Sequence, residues 1–284
     1  MKTKAYANAA AFRTAIESRL VQISQRESVD IMRLRRHLVF DRFLCRVFHG
    51  EEGTLMLKGG YAMELRVSAA RTTKDIDLCM KKGKGHTPTR QELQDFFSKK
   101  AALELGDFLD FSVHPPKLEL TNAPYGGYRF VVEANMASRL FLSFSIDVAV
   151  GDVWLDDLEA LHARDWLRFA GISSCDFPSI TVEQQLSEKI HSYTLPRQNP
   201  NSRTKDLVDI ILLTRNFKVT IARMHEALNQ TFKVRKTHAI PDKLQEPPIS
   251  WENKFAALAK ECDLKMNLSE AFSHMKAFYE KLAK

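Results

Sequence analysis

Residues 54–78, TLMLKGGYAMELRVSAARTTKDIDL, pass from strand to glycine turn to short helix to strand within 25 residues. An apolar run ends at Lys58, Gly59-Gly60 turns the backbone, Ala62, Met63 and Leu65 form a short helix, and Asp75-Ile76-Asp77 lies on the next strand. Residues two apart on a strand point to the same face, so Asp75 and Asp77 project together. That spacing suits hard oxygen ligation of a divalent cation. Glycines without Cβ let the backbone approach an anion closely, and N–H groups at a helix start favour phosphate. Alone, a Gly-Gly pair is an ordinary turn and an Asp-x-Asp an ordinary solvated strand end. Together, with fifteen residues from Gly60 to Asp75, they point to a nucleoside triphosphate site with Mg²⁺ or Mn²⁺ on the carboxylates.

Two-metal chemistry usually calls for a third carboxylate. Asp147 is the best candidate, because it sits in the otherwise apolar strand FLSFSIDV, residues 141–148, where a charge must find a partner or a cation. An exposed edge-strand Asp is the plainer alternative. Asp152, Asp156 and Asp157 are weaker candidates, explained by a Gly-containing loop. Further on, EQQLSEKIHSY (183–193) puts Lys189 in a helix, and RTKDLVDIILL (203–213) puts Asp206 and Asp209 one turn apart in the next. Lys189 or Arg203 could be their cation; taken alone, Lys189 is a surface lysine.

Outward from these motifs, residues 9–48 read as two amphipathic helices, with Ser28 as N-cap of the second and Gly50 as its stop. Arg33, Arg35, Arg36, Arg42 and Arg46 decorate that second helix as a solvated face. Strands are expected at 54–57, 76–80, 128–134 and 140–150, the last an inner strand, with a helix at 91–105 and a basic loop at 79–90. Helices follow at 182–193, 205–215, 221–232 and 251–282, separated by loops at 195–204 and 238–250, and no internal repeat is visible. The expected class is α+β: residues 1–180 form N-terminal helices with a mixed α/β core, and residues 181–284 a helical C-terminal domain.

The 284 residues are 44% hydrophobic and 27% charged, which excludes fibrous and disordered classes. The net charge of +7 is uneven: residues 1–50 carry +6, residues 51–180 carry −4 and residues 181–284 carry +5. An acidic middle that gathers cations between basic flanks that meet a polyanion would suit a nucleic-acid partner. A solubilising surface is the alternative. The four cysteines, Cys45, Cys79, Cys175 and Cys262, show no zinc spacing and read as free, mostly buried thiols. Arg13, Glu17 and Arg19 interrupt the N-terminal residues before any apolar stretch long enough for a signal peptide, and no run reaches membrane-span length. A reducing cytoplasm and no membrane are the resulting expectations.

The order LKGGYA (57–62), RTTKDIDL (71–78), a strand Asp, SEKI (187–190) and RTKDLVDI (203–210) resembles the AbiEii/AbiGii toxin family of nucleotidyltransferases, including related mycobacterial toxins, over roughly residues 55–213. The resemblance implies a DNA polymerase beta-like core that binds an NTP with Mg²⁺ and transfers a nucleotide to RNA, in some members the 3′ end of tRNA, as the toxin of a toxin–antitoxin pair. It implies metal-holding roles for Asp75, Asp77 and Asp147, a triphosphate contact for Lys189, and Asp206 as the last essential residue. Lys58, Gly59 and Gly60 would line the nucleotide. Where the broader pattern has Gly-Ser this chain has Gly59-Gly60, which leaves Thr73 or backbone N–H groups to serve the phosphate. Basic arms, Arg33 to Arg46 and Lys233 to Lys236, would grip the RNA backbone, with Arg33, Arg35 and Arg36 foremost, and a cognate antitoxin would be a partner. A catalytically silent nucleic-acid or partner-binding protein on the same fold is the main alternative. A nucleotide-sugar glycosyltransferase with an Asp-x-Asp metal site would explain neither Gly59-Gly60 nor the Lys189–Asp206 pair.

Overall fold

The computed structural model describes residues 6–51, 53–81, 83, 86–120, 126–155, 157–197 and 203–282. Asp156, positions 82, 84 and 85 of the basic loop, and positions 198–202 of the later loop lie outside these. The chain divides into two compact units, one of residues 1–57, 74–151 and 160–179, the other of 58–73, 152–159 and 180–284.

The first unit is built on a mixed sheet. Its strands are β1 (Leu55–Lys58), β2 (Asp75–Met80), β3 (Asp110–Val113), β4 (Leu118–Glu119), β5 (Gly127–Met136), β6 (Arg139–Val150), β7 (Glu159–His162) and β8 (Asp176–Ser179). The order across the sheet is β3-β5-β6-β2-β1-β8-β7, with β4 beside β5. β2 runs parallel to β6, β1 parallel to β8, and β5 antiparallel to both β3 and β6. The inner position of β6 matches its near-continuous apolar run. The β5–β6 hairpin turns on Ala137-Ser138, both at positive φ (54° and 56°), and Arg13 Nη1 steadies it by donating to the carbonyls of Met136 and Arg139 at 2.9 and 3.0 Å.

Three helices accompany the sheet: α1 (Ala9–Glu27), α2 (Ile31–Val47) and α4 (Arg90–Ala101). Phe43 of α2 packs on Phe111 and Phe144 with ring centroids 5.4 and 5.5 Å apart, and Phe97 of α4 packs on Phe130 at 5.8 Å. Ser28 does not cap α2. It closes α1 at φ 53°, and Asp30 caps α2 by accepting from the Arg33 N–H at 2.8 Å.

Two further expectations are corrected. Arg42 and Arg46 do not face solvent: Arg42 Nε lies 2.6 Å from Asp107 Oδ2 and Arg46 Nη2 2.6 Å from Asp107 Oδ1, all three side chains buried. Burial pushes the Asp107 carboxyl up, but the two guanidiniums outweigh it and hold it below its usual range. The four cysteines are also not all free. Cys45 on α2 and Cys175, just before β8, form a disulfide across 130 residues, while Cys79 and Cys262 are buried free thiols. No spacing rule in the sequence signals a pair that only the packing of α2 beside β8 brings together. The inference from free thiols to a reducing compartment therefore rests on two cysteines, not four.

The second unit is helical: α3 (Gly59–Arg66), α5 (Val182–Thr194), α6 (Thr204–Asn216), α7 (Ile221–Arg235), α8 (Glu252–Glu261) and α9 (Leu268–Leu282). Leu186, Ile190, Leu207, Ile210, Ile211, Met224, Phe255 and Met275 form its core, following the 3.6-residue period of each helix. Residues 251–282 are not one helix: Asp263 turns at φ 50°, and Asn267 and Glu270 cap each other's N–H at the start of α9. No helix among the described residues is long and apolar enough to cross a membrane. The architecture is the mixed α and β class expected from the sequence.

Candidate active site

In the first unit, β2 and β6 pair so that Asp75 stands opposite Ser145 and Asp77 opposite Asp147. Register partners share a sheet face, and so do residues two apart, so the three carboxylates lie on one face. Arg129 on β5 is the register partner of Asp147 on its other side. Its guanidinium grips Asp147 with two parallel bonds, Nε to Oδ1 and Nη2 to Oδ2, each 2.6 Å, and lies 3.7 Å from Asp75 Oδ2. The bonds to Asp147 outweigh a burial effect of opposite sign and, with the charges of Asp147, Asp75 and Asp77, hold Arg129 above its usual range. All three acids therefore act on one cation. The side chains of Asp75 and Arg129 are 38% and 39% exposed and that of Asp147 15%, so the face is open to solvent.

Three hard-oxygen donors on one face already holding a cation fit a divalent metal in donor chemistry. Among the described residues, however, no three metal-ligating side chains converge on one point. Arg129 stands in that space, a residue the sequence reading did not single out, because its role depends on cross-strand register.

The second unit holds Lys58, Gly59, Gly60, Thr73, Lys189 and Asp206. Gly59, at φ +68°, sits where a side chain is strained, and its carbonyl accepts from Gln185 Nε2 at 2.8 Å. A Cβ on Gly60 would stand 2.6 Å from Thr73 Oγ1 and 2.9 Å from Thr73 Cβ. A side chain at position 60 would force Thr73 to shift, which gives the departure from Gly-Ser a steric reason. The Thr73 N–H donates to Glu64 Oε1 at 2.6 Å.

Two ion clusters surround these residues. Lys58 Nζ lies 2.5 Å from Asp152 Oδ2 and 3.7 Å from Glu188 Oε2, and Arg235 Nη2 lies 2.9 and 3.2 Å from the same two oxygens. Burial raises the Asp152 carboxyl, but Lys58 and Arg235 outweigh it and hold it far below its usual range. Arg235 thus turns inward, leaving Lys233 and Lys236 as the exposed members of that basic arm. In the second cluster Lys189 Nζ lies 2.9 Å from Asp209 Oδ2 and 3.1 Å from Asp206 Oδ1, and Arg71 grips Asp209 with Nε and Nη2 at 3.0 and 2.9 Å. Burial would lower the Lys189 ammonium, but Asp209 and Asp206 hold it above its usual range. Burial likewise raises Asp209, and Lys189 and Arg71 hold it low. Asp206 Oδ2 is buried and carries no hydrogen bond among the described residues.

Lys189 is thus a paired, half-buried lysine. Asp152, a weaker candidate for the third carboxylate in the sequence, instead pairs with Lys58 and with Arg235, itself expected in an exposed basic arm; Arg71 and Glu188, which lie within the quoted RTTKDIDL and SEKI motifs, are the members the sequence does not single out. On α2, Arg33, Arg35 and Arg36 are half-buried, and Arg35 Nη2 lies 2.5 Å from Glu17 Oε2 with its guanidinium over the Phe141 ring.

Residues 42–281 match the family described as nucleotidyl transferase AbiEii toxin, type IV TA system. No curated protein matches the chain. Among solved structures it is similar to MenT4, the nucleotidyltransferase toxin Rv2826c of Mycobacterium tuberculosis H37Rv, at 12% identity and a TM-score of 0.54 over 94% of this chain and 98% of that one. JHP933 of Helicobacter pylori is similar at 12% identity and a TM-score of 0.47, over 90% and 100%. At such identity the likeness to MenT4 is one of fold.

Proposed function

The chain belongs to the AbiEii family of nucleotidyltransferase toxins, and from that premise we propose that it transfers a nucleotide from an NTP to an RNA acceptor, the 3′ end of tRNA, and so blocks translation. The observation that carries this reading is the register pairing of Asp77 with Asp147, which gathers three carboxylates and one cation on a single open face.

In the proposed reaction an acceptor hydroxyl attacks the α-phosphorus. The new O–P bond forms as the bond to the bridging oxygen breaks, and pyrophosphate leaves. Asp75, Asp77 and Asp147 would hold Mg²⁺ or Mn²⁺, whose chemistry when bound is to offset charge on the attacking and leaving oxygens. Asp147 would take the hydroxyl proton once Arg129 no longer occupies both its oxygens. In the second unit Lys58, the N–H groups of Gly59 and Gly60, the Thr73 hydroxyl and Lys189 are the proposed triphosphate contacts. Asp206 and Asp209 fix the Lys189 ammonium, and Asp206 Oδ2, which has Arg203 Nε at 3.7 Å but accepts no hydrogen bond among the described residues, suits a hydrogen-bond donor from the substrate.

The proposal extends to a cytoplasmic site of action, a cognate antitoxin and an RNA backbone held by Arg33, Arg35 and Arg36. Incubation with total RNA, Mg²⁺ and each α-labelled NTP in turn tests it. Label entering RNA of tRNA size from one or two of the four supports the reading; label entering no RNA, or only larger species, contradicts the tRNA assignment.

A further inference from the structure

Asp147 accepts from Arg129 on both oxygens, at 2.6 Å each, so an ion cannot take the fork between those oxygens while Arg129 holds it. The same guanidinium lies 3.7 Å from Asp75. A divalent ion on this face would therefore meet a carboxylate already neutralised and a positive charge within a few ångströms, which repels it. Among the described residues the Arg129 side chain hydrogen-bonds only Asp147, and it is 39% exposed on β5.

We propose that Arg129 is a positioning residue that serves as a displaceable counter-ion, holding the three carboxylates together in the metal-free enzyme and leaving Asp147 when a divalent cation enters. The inference rests on the assignment of Asp75, Asp77 and Asp147 as the metal-holding set. Its consequences run in opposite directions in the two states. Without Arg129 the metal-free face loses the cation that Asp147 grips and loses stability, while an entering cation meets one positive charge fewer and binds more tightly.

Mn²⁺ alone is the probe, with free Mn²⁺ read from its paramagnetic resonance signal, on the full chain as wild type, Arg129→Gln, Arg129→Lys and Asp77→Asn. Arg129→Gln should bind Mn²⁺ tenfold or more tightly than wild type, and Arg129→Lys, which keeps the charge but not the paired bonds, by less. Asp77→Asn should lose binding. Melting without metal should fall in Arg129→Gln and recover on adding Mn²⁺, a readout independent of turnover. If wild type binds Mn²⁺ through Asp77 and Arg129→Gln binds it equally or more weakly, the counter-ion role is wrong and the metal assignment stands. If neither wild type nor Arg129→Gln binds Mn²⁺, the metal assignment fails and the counter-ion role fails with it.

Discussion

Asp77 on β2 and Asp147 on β6 are direct partners on adjacent parallel strands although seventy residues separate them in the chain. That single register sets the chemistry of the first unit, because it brings the third carboxylate to the face on which Asp75 and Asp77 already project. A slip of one residue would turn Asp147 to the opposite face.

Gly60 and Thr73 are coupled by sterics. Gly60→Ala should destabilise the fold by about 1–3 kcal/mol, the usual cost of overpacking, because its Cβ would stand 2.6 Å from Thr73 Oγ1. Thr73→Ala in the same chain should return most of that loss. A denaturant double-mutant cycle measures the coupling; independent, additive losses would contradict the contact.

Lys189→Ala leaves Asp209, fully buried, with Arg71 as its one ion-pair partner among the described residues, and Asp206 with Arg203 at 3.7 Å. Breaking a buried ion cluster in this way should cost about 3–5 kcal/mol. Loss of nucleotide binding in this variant is therefore interpretable only beside a melting curve. A variant that melts with wild type would show that Lys189 is not part of a buried cluster.

His191 gives the molecule an acid sensitivity of definite sign. Burial first, then Arg235 and His238, hold its imidazole down to about 3, against roughly 6.5 in an unfolded chain. As pH falls below about 6.5 the unfolded chain takes up a proton that the folded one refuses, so stability is full above that pH and declines toward 3. His191→Phe should flatten the loss between about pH 6.5 and 4.5 without abolishing it, since burial also holds His238 and His274 low. Guanidinium midpoints at several pH values report it; a wild-type midpoint constant across that window would contradict it.

The Cys45–Cys175 bridge closes a loop of 130 residues, and on a chain-entropy account such a loop is worth up to about 5 kcal/mol. Dithiothreitol should lower the melting temperature of wild type and leave the Cys45→Ser/Cys175→Ser chain unmoved. Equal melting of wild type with and without reductant would contradict the bridge.

The Asp75–Asp77 pair, the apolar run of β6 and the helices of the second unit were legible because each is a local period: two residues in a strand, 3.6 in a helix. What escaped was relational. Arg129 reads as one polar residue in an alternating strand until β5 is set beside β6. Arg42 and Arg46 look like a solvated helix face until Asp107, sixty-one residues beyond Arg46, draws them inward. Cys45 and Cys175 carry no spacing signal at all, and the break at Asp263 has neither Gly nor Pro to mark it, although Asn267 with Glu270 three residues on is a capping pattern at the start of α9.

Transfer of α-labelled nucleotide to RNA by wild type and by Asp77→Asn, measured in parallel with Mg²⁺ and with melting curves for both, tests the central claim most directly. The account predicts label on RNA with wild type, none with Asp77→Asn, and a melting temperature in the variant no lower than in wild type, since its loss relieves charge repulsion on the sheet face. Turnover by a folded Asp77→Asn chain at the wild-type rate would contradict it.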